Sequence, residues 1–243
     1  MKQVGRLMGV LVACSVAALT ASLAGTAQAQ TQEGQAVVQS IKGSADYSEG
    51  GGTWSKLKVG KVLKAGTVVR TADASEVDLN LKRNGPVVRL TGNSTLGLTK
   101  LLFENTGADT VIETQLDLKA GRVLGVVSKM AAASKYEVKT PSSVTGIRGT
   151  KYDISASGKV VVIEGWVMVV WVGADGKSKS FKVEAGKVFD PATQTVRDAT
   201  ETEKNDAKNN MPRDIPPGTE EVRYEPGKKP FVSPISPADS SAD

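Results

Sequence analysis

Two stretches limit what this chain can fold into. Residues 76–82 read Glu-Val-Asp-Leu-Asn-Leu-Lys, and residues 112–118 read Ile-Glu-Thr-Gln-Leu-Asp-Leu. Apolar and polar residues alternate with a period of two, the repeat of an extended strand with one face buried and one wet. Shorter pieces repeat it at Val88–Leu90, Leu96–Leu98, Tyr136–Val138 and Tyr152–Ile154. Turn-forming runs lie between them: Glu49-Gly-Gly-Gly52, Asn84-Gly85-Pro86, Gly92-Asn93, Asn105 to Asp109, Ser157-Gly158 and Asp175-Gly176. Short strands this closely spaced predict an all-β fold, a single compact domain of many short strands over 30–197, built as a two-sheet sandwich or a solenoid-like coil.

Val160 to Val172 departs from the alternation, being apolar on both faces apart from Glu164. This predicts a strand buried on both sides, with Gly165 allowing a bend or bulge that carries the chain from one sheet to the other. One pattern also recurs. Leu57-Lys-Val-Gly-Lys-Val-Leu63, Leu118-Lys-Ala-Gly-Arg-Val-Leu124 and Val183-Glu-Ala-Gly-Lys-Val-Phe189 share the form apolar–charged–small–Gly–basic–Val–apolar. Each predicts the same β-corner, turning on a glycine of positive φ.

Composition narrows the chemistry. The chain has no histidine and one cysteine, Cys14. Serine triads, histidine-ligated metals and thiolate–imidazole sites are therefore out of reach. No catalytic residue, metal site or cofactor is expected. Residues 1–29 have the form of a signal peptide: basic Lys2 and Arg6, an apolar run from Leu7 to Gly25, then Ala27-Gln28-Ala29, with cleavage between Ala29 and Gln30. The mature chain is then periplasmic or secreted, with no stable membrane span. An alternative is a lipoprotein anchored at Cys14, since Leu11-Val-Ala-Cys14 also resembles a lipid-processing box.

Residues 30–197 carry 23 Lys or Arg against 16 Asp or Glu, a balance of +7, while residues 198–243 carry 6 against 10, a balance of −4. A basic domain outside the cytoplasm can attract anionic envelope polymers. No dense basic cluster marks a nucleic-acid site, and none is expected. Residues 198–243 form a polar, Pro-rich tail, disordered or a short helix plus extended chain. The stretch Asp198–Asn210 can form a short helix, but without an apolar face it has nothing to dock.

The segment Lys139-Thr-Pro-Ser-Ser-Val-Thr-Gly-Ile-Arg-Gly-Thr150 is turn-rich yet keeps Val144 and Ile147 inside it, as a connector pressed on a core would. It is also the hallmark of an ordered series. Trp54-Ser-Lys-Leu57 with Gly60 and Leu63, Ala65 to Thr71, Val77 to Leu81, Gly85 to Leu90, Asn93 to Leu96, Leu118 to Val123 and Ile163-Glu-Gly-Trp-Val167 accompany it. Taken in order, from about Trp54 to Gly186, these resemble the FecR domain family. The resemblance implies an all-β, non-enzymatic domain on the outer side of the inner membrane. In the regulator that gives the family its name, a cytoplasmic anti-sigma region and a membrane span precede that domain. Six residues precede the apolar run here, and a Pro-rich tail stands where a transporter-contacting module would follow. The expectation is a stand-alone, exported FecR-like protein.

Within the hallmark, Arg148 could act as an anion-binding fork, with Gly146 and Gly149 letting backbone amides and Thr150 approach a ligand. A structural reading explains the same residues: Pro141 fixes an extended entry, both glycines permit tight turns, Val144 and Ile147 plug the core, and Arg148 staples the turn to carbonyls or to Glu164 or Asp153. Trp54, Trp166 and Trp171 could form a sugar-stacking platform, although Trp166 and Trp171 have opposite strand parity, and core packing is expected for both. The function expected is a binding or scaffold module that contacts an envelope protein. The alternatives are an envelope polysaccharide or peptidoglycan binder, and an accessory part of a transmembrane sigma/anti-sigma system.

Overall fold

The computed structural model describes residues 30–212, apart from positions 86, 108 and 174. The signal segment with Cys14 and Ala29, and the tail from 213 onward, lie outside the described residues; Gln30, the first described, is exposed.

Strands dominate. In chain order they are β1 (Gln32–Glu33), β2 (Ala36–Lys42), β3 (Ala45–Glu49), β4 (Ser55–Lys56), β5 (Val62–Leu63), β6 (Thr67–Thr71), β7 (Glu76–Asn80), β8 (Val87–Leu90) and β9 (Thr95–Asn105). Then come β10 (Thr110–Ala120), β11 (Arg122–Val126), β12 (Lys135–Lys139), β13 (Ser143–Ser155), β14 (Val160–Val172), β15 (Ser178–Glu184), β16 (Lys187–Asp190), β17 (Thr195–Asp198) and the helix α1 (Glu201–Asn210).

The ladders join these strands into one curled sheet with two arms. The first arm runs β4, β3, β6, β9, β10, β12, the first half of β13, the second half of β14, then β15. The second runs β5, β2, β7, β8, β11, the second half of β13, the first half of β14, β16, then β17. The β13–β14 hairpin is thus common to both. The chain passes back and forth between the arms, so it is wound like a coil and packed like a sandwich. Among the described residues only β10 and β12 pair in parallel, because the chain visits the second arm, as β11, between them.

Each echo of the corner motif makes one of these crossings. Gly60 lies between β4 and β5, Gly121 between β10 and β11, and Gly186 between β15 and β16, with φ of 84°, 76° and 77°. The expected positive φ is present at all three.

Residues from both arms meet in one apolar core. Val77, Leu79, Leu81, Leu116 and Leu118 are fully buried in it, with Ile112 close behind, so the alternation in β7 and β10 sets their inner faces. β14 corrects the expectation of two-sided burial. Val160 to Val162 are buried on both faces, but beyond Gly165 only Val167 and Val169 are fully covered, and Trp166 and Val172 are exposed.

The helix supplies a second correction. α1 docks on the outer face of the second arm. Its start is fixed by a capping box: Glu203 N–H donates to the Thr200 hydroxyl, and Thr200 N–H donates to the Glu203 carboxylate. Ala207, with Ala199 before the helix, packs against Val161 and Val188. Charge supplies most of the contact: Glu203 pairs with Arg197 at 2.9 Å and Lys159 at 2.6 Å, and Asp206 with Arg122 at 2.7 Å.

Candidate functional site

The hallmark segment is a strand, not a loop. Thr140, Pro141 and Ser142 make a tight turn, closed by Thr140 N–H donating to Ser143 O at 2.8 Å and Ser143 N–H to the Thr140 hydroxyl at 3.0 Å. β13 then runs thirteen residues without a break. Ser143, Thr145 and Ile147 face inward, whereas Val144, Gly146 and Arg148 face outward. Ile147 belongs to the core as expected; Val144 is half-buried on the outer face and does not plug it.

At Gly149 the strand changes phase. After it the inward residues are Thr150, Tyr152 and Ile154, so alternation restarts one position late. β14 does the same across the ladder: Val160 and Val162 face in before Gly165, Val167 and Val169 after it. Arg148 pairs with Trp166 and Lys151 with Glu164, leaving two residues of β13 opposite one of β14, a β-bulge, and Tyr152 then pairs with Val162, leaving Ile163 of β14 as the compensating extra residue. Both glycines are required. Gly149 has φ of 60° and Gly165 of 77°, and a Cβ on Gly165 would sit 2.3 Å from the Gly149 carbonyl oxygen. The buried Thr150 hydroxyl closes the bulge, donating its one hydrogen to Trp166 O at 2.9 Å, with Arg148 O as the other acceptor in reach at 3.2 Å. Here the ribbon leaves one arm and enters the other, the role expected of Gly165.

Gly146 is different. Its φ is not left-handed, and a Cβ there would find only Met168 O, at 3.9 Å. No turn or close approach requires it, correcting the expectation of a tight turn. Arg148 donates to the carbonyl of Ala132, in the loop that leads from β11 to β12. The two carboxylates anticipated for it are taken, Asp153 by Arg122 and Glu164 by Lys151 at 2.9 Å. Arg148 is exposed, and so is Glu164 despite its apolar surroundings in the sequence.

Gly146 and Arg148 share the outer face of the first arm with Trp166, Met168, Val170 and Val172 of β14. Trp166 is 38% exposed and Val172 45%, two of the four most exposed large apolar residues described. Lys182 of β15 lies 5.4 Å from the Trp166 ring centroid and 2.7 Å from Glu184, whose carboxyl it holds below the usual range. The face is an apolar strip with charge on both sides and a shallow place at Gly146 where no side chain stands. Of the four hallmark candidates, Gly149 and Thr150 build the bulge, and Gly146 and Arg148 are presented outward beside the strip. The sequence reading missed Met168 and Lys182. Their spacing of two within the ladder after Gly165 is the signal that puts Met168 and Trp166 on the same side.

The tryptophans do not form a platform. Trp171 turns inward, its ring 5.8 Å from that of Phe189, as core packing predicts; Trp166 does not pack in the core. Trp54 is exposed under Arg70, whose guanidinium carbon lies 4.1 Å from its ring centroid.

Fold and site together define an all-β, two-armed coil whose signature motif builds the ribbon between arms. Residues 67–168, from β6 into β14, match the family model described as FecR protein, and the chain carries a FecR domain. No curated protein and no solved structure matches the chain. The family suggests a role related to sigma/anti-sigma signalling and is typically associated with the cell envelope. No helix among the described residues is long and apolar enough to cross a membrane.

Proposed function

We propose that this chain is an exported, non-catalytic FecR-domain binding module, and that it takes a protein partner on the outer face formed by β13, β14 and β15. The signal-like pattern of residues 1–29 supports export, and the absence of histidine from the sequence supports a binding role over general acid–base catalysis. The observation that carries the partner face is the exposed Trp166 in an apolar strip, beside a glycine the backbone does not need. Aromatic and Arg anchors of this kind dominate protein interfaces. A photo-crosslinking residue placed at Met168 in intact cells should give a discrete protein adduct that Trp166→Ala abolishes. Equal adducts from a control position such as Lys42, on the other arm, would overturn the assignment.

A second reading, an anionic envelope polymer, draws on one further feature. A cavity of about 310 Å³ at the β14–β15 turn is lined by Trp171, Asp175, Lys177, Lys179 and Gln194. Co-sedimentation with purified sacculi that weakens with salt and is lost in Lys177→Gln/Lys179→Gln would favour it; failure to sediment at any salt concentration would remove it.

A further inference from the structure

The two arms end together at the edge opposite β15 and β17. β4 and β5 are their outermost strands there, and residues 54–64 run through both as a rim. Leu57 and Leu63 are buried and tie the rim to the core. What it turns outward is chiefly basic or apolar: Lys56, Lys58 and Lys64 are exposed, as are Trp54 at 39% and Val62 at 42%. The charges do not balance. Lys56 and Arg70 share Asp46 at 3.0 and 3.1 Å, and Lys61 pairs with Glu49 at 3.1 Å, whereas Lys58 and Lys64 have no acid partner among the described residues. Five cations thus stand against two acids, a surplus of +3. Outside the local chain, nothing lies within 4 Å of where a Cβ would stand on Gly50, Gly51, Gly60 or Gly66, so no described residue overhangs the rim there. Lysines alone guard an open sheet edge against pairing with another chain. That role does not call for an exposed tryptophan and valine among them.

We propose that this rim is a contact for an anionic lipid surface, entered edge-on. Neighbouring strands lie about 4.8 Å apart, so immersion to about 5–10 Å, the depth of an interfacial element, takes in β4 and β5 with Trp54 on the first arm and Val62 on the second. Tryptophan favours the headgroup level of a bilayer, and lysine stems lie along the apolar boundary while their ammonium groups meet phosphates. A soluble anionic polymer would answer the charge but give Trp54 and Val62 nothing to enter, and this selects lipid. Trp166 and its face lie at the far edge of the first arm, so both surfaces can be occupied at once and the two proposals stand or fall separately.

The test takes the chain from Gln30 to Asp243, which holds every described element and leaves out the apolar run 7–25. Its probes are vesicles of phosphatidylcholine alone and of equal parts phosphatidylcholine and phosphatidylglycerol. The chain should co-sediment with the mixed vesicles in preference to the neutral ones, and less as salt rises. Each basic residue near an anionic surface gives roughly a fivefold gain, so Lys58→Gln/Lys64→Gln should weaken that binding about twentyfold. These side chains are exposed, and the variant should melt with the unmodified chain. Tryptophan emission should move to the blue on adding mixed vesicles; Trp54→Phe should abolish the shift and Trp166→Phe should leave it. Equal sedimentation with both vesicle types, or a shift that survives Trp54→Phe, would overturn the proposal. So would capture by soluble polygalacturonate as tight as by mixed vesicles and unchanged in Trp54→Phe, which would give the rim to a polymer instead.

Discussion

Three glycines in and opposite one motif do three different things. Gly165 has no room for a side chain: a Cβ would meet backbone that cannot swing aside. Gly165→Ala should cost about 2–4 kcal/mol and lower Tm by roughly 5–10 °C. Gly149 is left-handed, and its Cβ would lie 3.3 Å from Lys129 Cα, tight but passable. Its replacement by Ala should cost about 1–2 kcal/mol, mostly the left-handed backbone penalty. Gly146→Ala should leave Tm within about 2 °C, since an extended, unobstructed position favours Ala over Gly, while weakening the Met168 adduct. Thermal melts of the three variants side by side check the order. Sequence showed that glycines cluster here; it could not separate a glycine the backbone demands from one that merely leaves space, because that depends on what stands across the ladder. Arg148 illustrates the same limit. A carbonyl was among its expected partners, but which one, Ala132 in the loop before β12, is set by tertiary packing and not by any side-chain pattern.

The elements were unevenly legible. β7 and β10 keep one phase throughout, so their inner faces could be read directly. β14 reads as continuously apolar because its outer face is apolar as well: Val161 lies against α1, and Trp166, Met168, Val170 and Val172 form the outer strip. α1 was foreseen as a helix without a docking face, since charge and two alanines replace the apolar stripe by which docked helices are usually recognised. Its anchor has a pH signature. Arg197 foremost, and then Lys159 and Thr200, hold the Glu203 carboxyl far below its ordinary pKa near 4.5. A depressed folded pKa stabilises the docked state above the ordinary value and loses that contribution as pH falls towards the folded one. Hydrogen exchange at α1 should therefore be protected equally at pH 8 and pH 6 and lose protection progressively below about pH 4.5. Thr200→Ala, which removes half of the capping box, should lower α1 protection by about 1 kcal/mol at neutral pH.

For the whole molecule, the two arms share one core and one ribbon, so neither has a separate interior to keep it folded. All three tryptophans belong to the first arm or its edge, whereas far-UV circular dichroism reports on both arms. Denaturant titrations followed by the two signals should give coincident midpoints; separated midpoints would show that the arms unfold independently. The fold class was visible because turns and alternation are local. Arm membership was not, since strands as distant in sequence as β2 and β7, or β6 and β9, become neighbours only through long-range pairing.

The bulge at Gly149 and Gly165 bears on how such chains tolerate change in length. Elsewhere in β13 or β14, adding or removing one residue would turn half a strand inside out. At the bulge the ladder is already interrupted, with three residues on each strand between the regular pairs Arg148–Trp166 and Tyr152–Val162, so alternation is reckoned afresh on each side. The hairpin behaves as two words separated by a space: each half can be spelled for its own sheet, and an error of spacing in one is not passed on to the other.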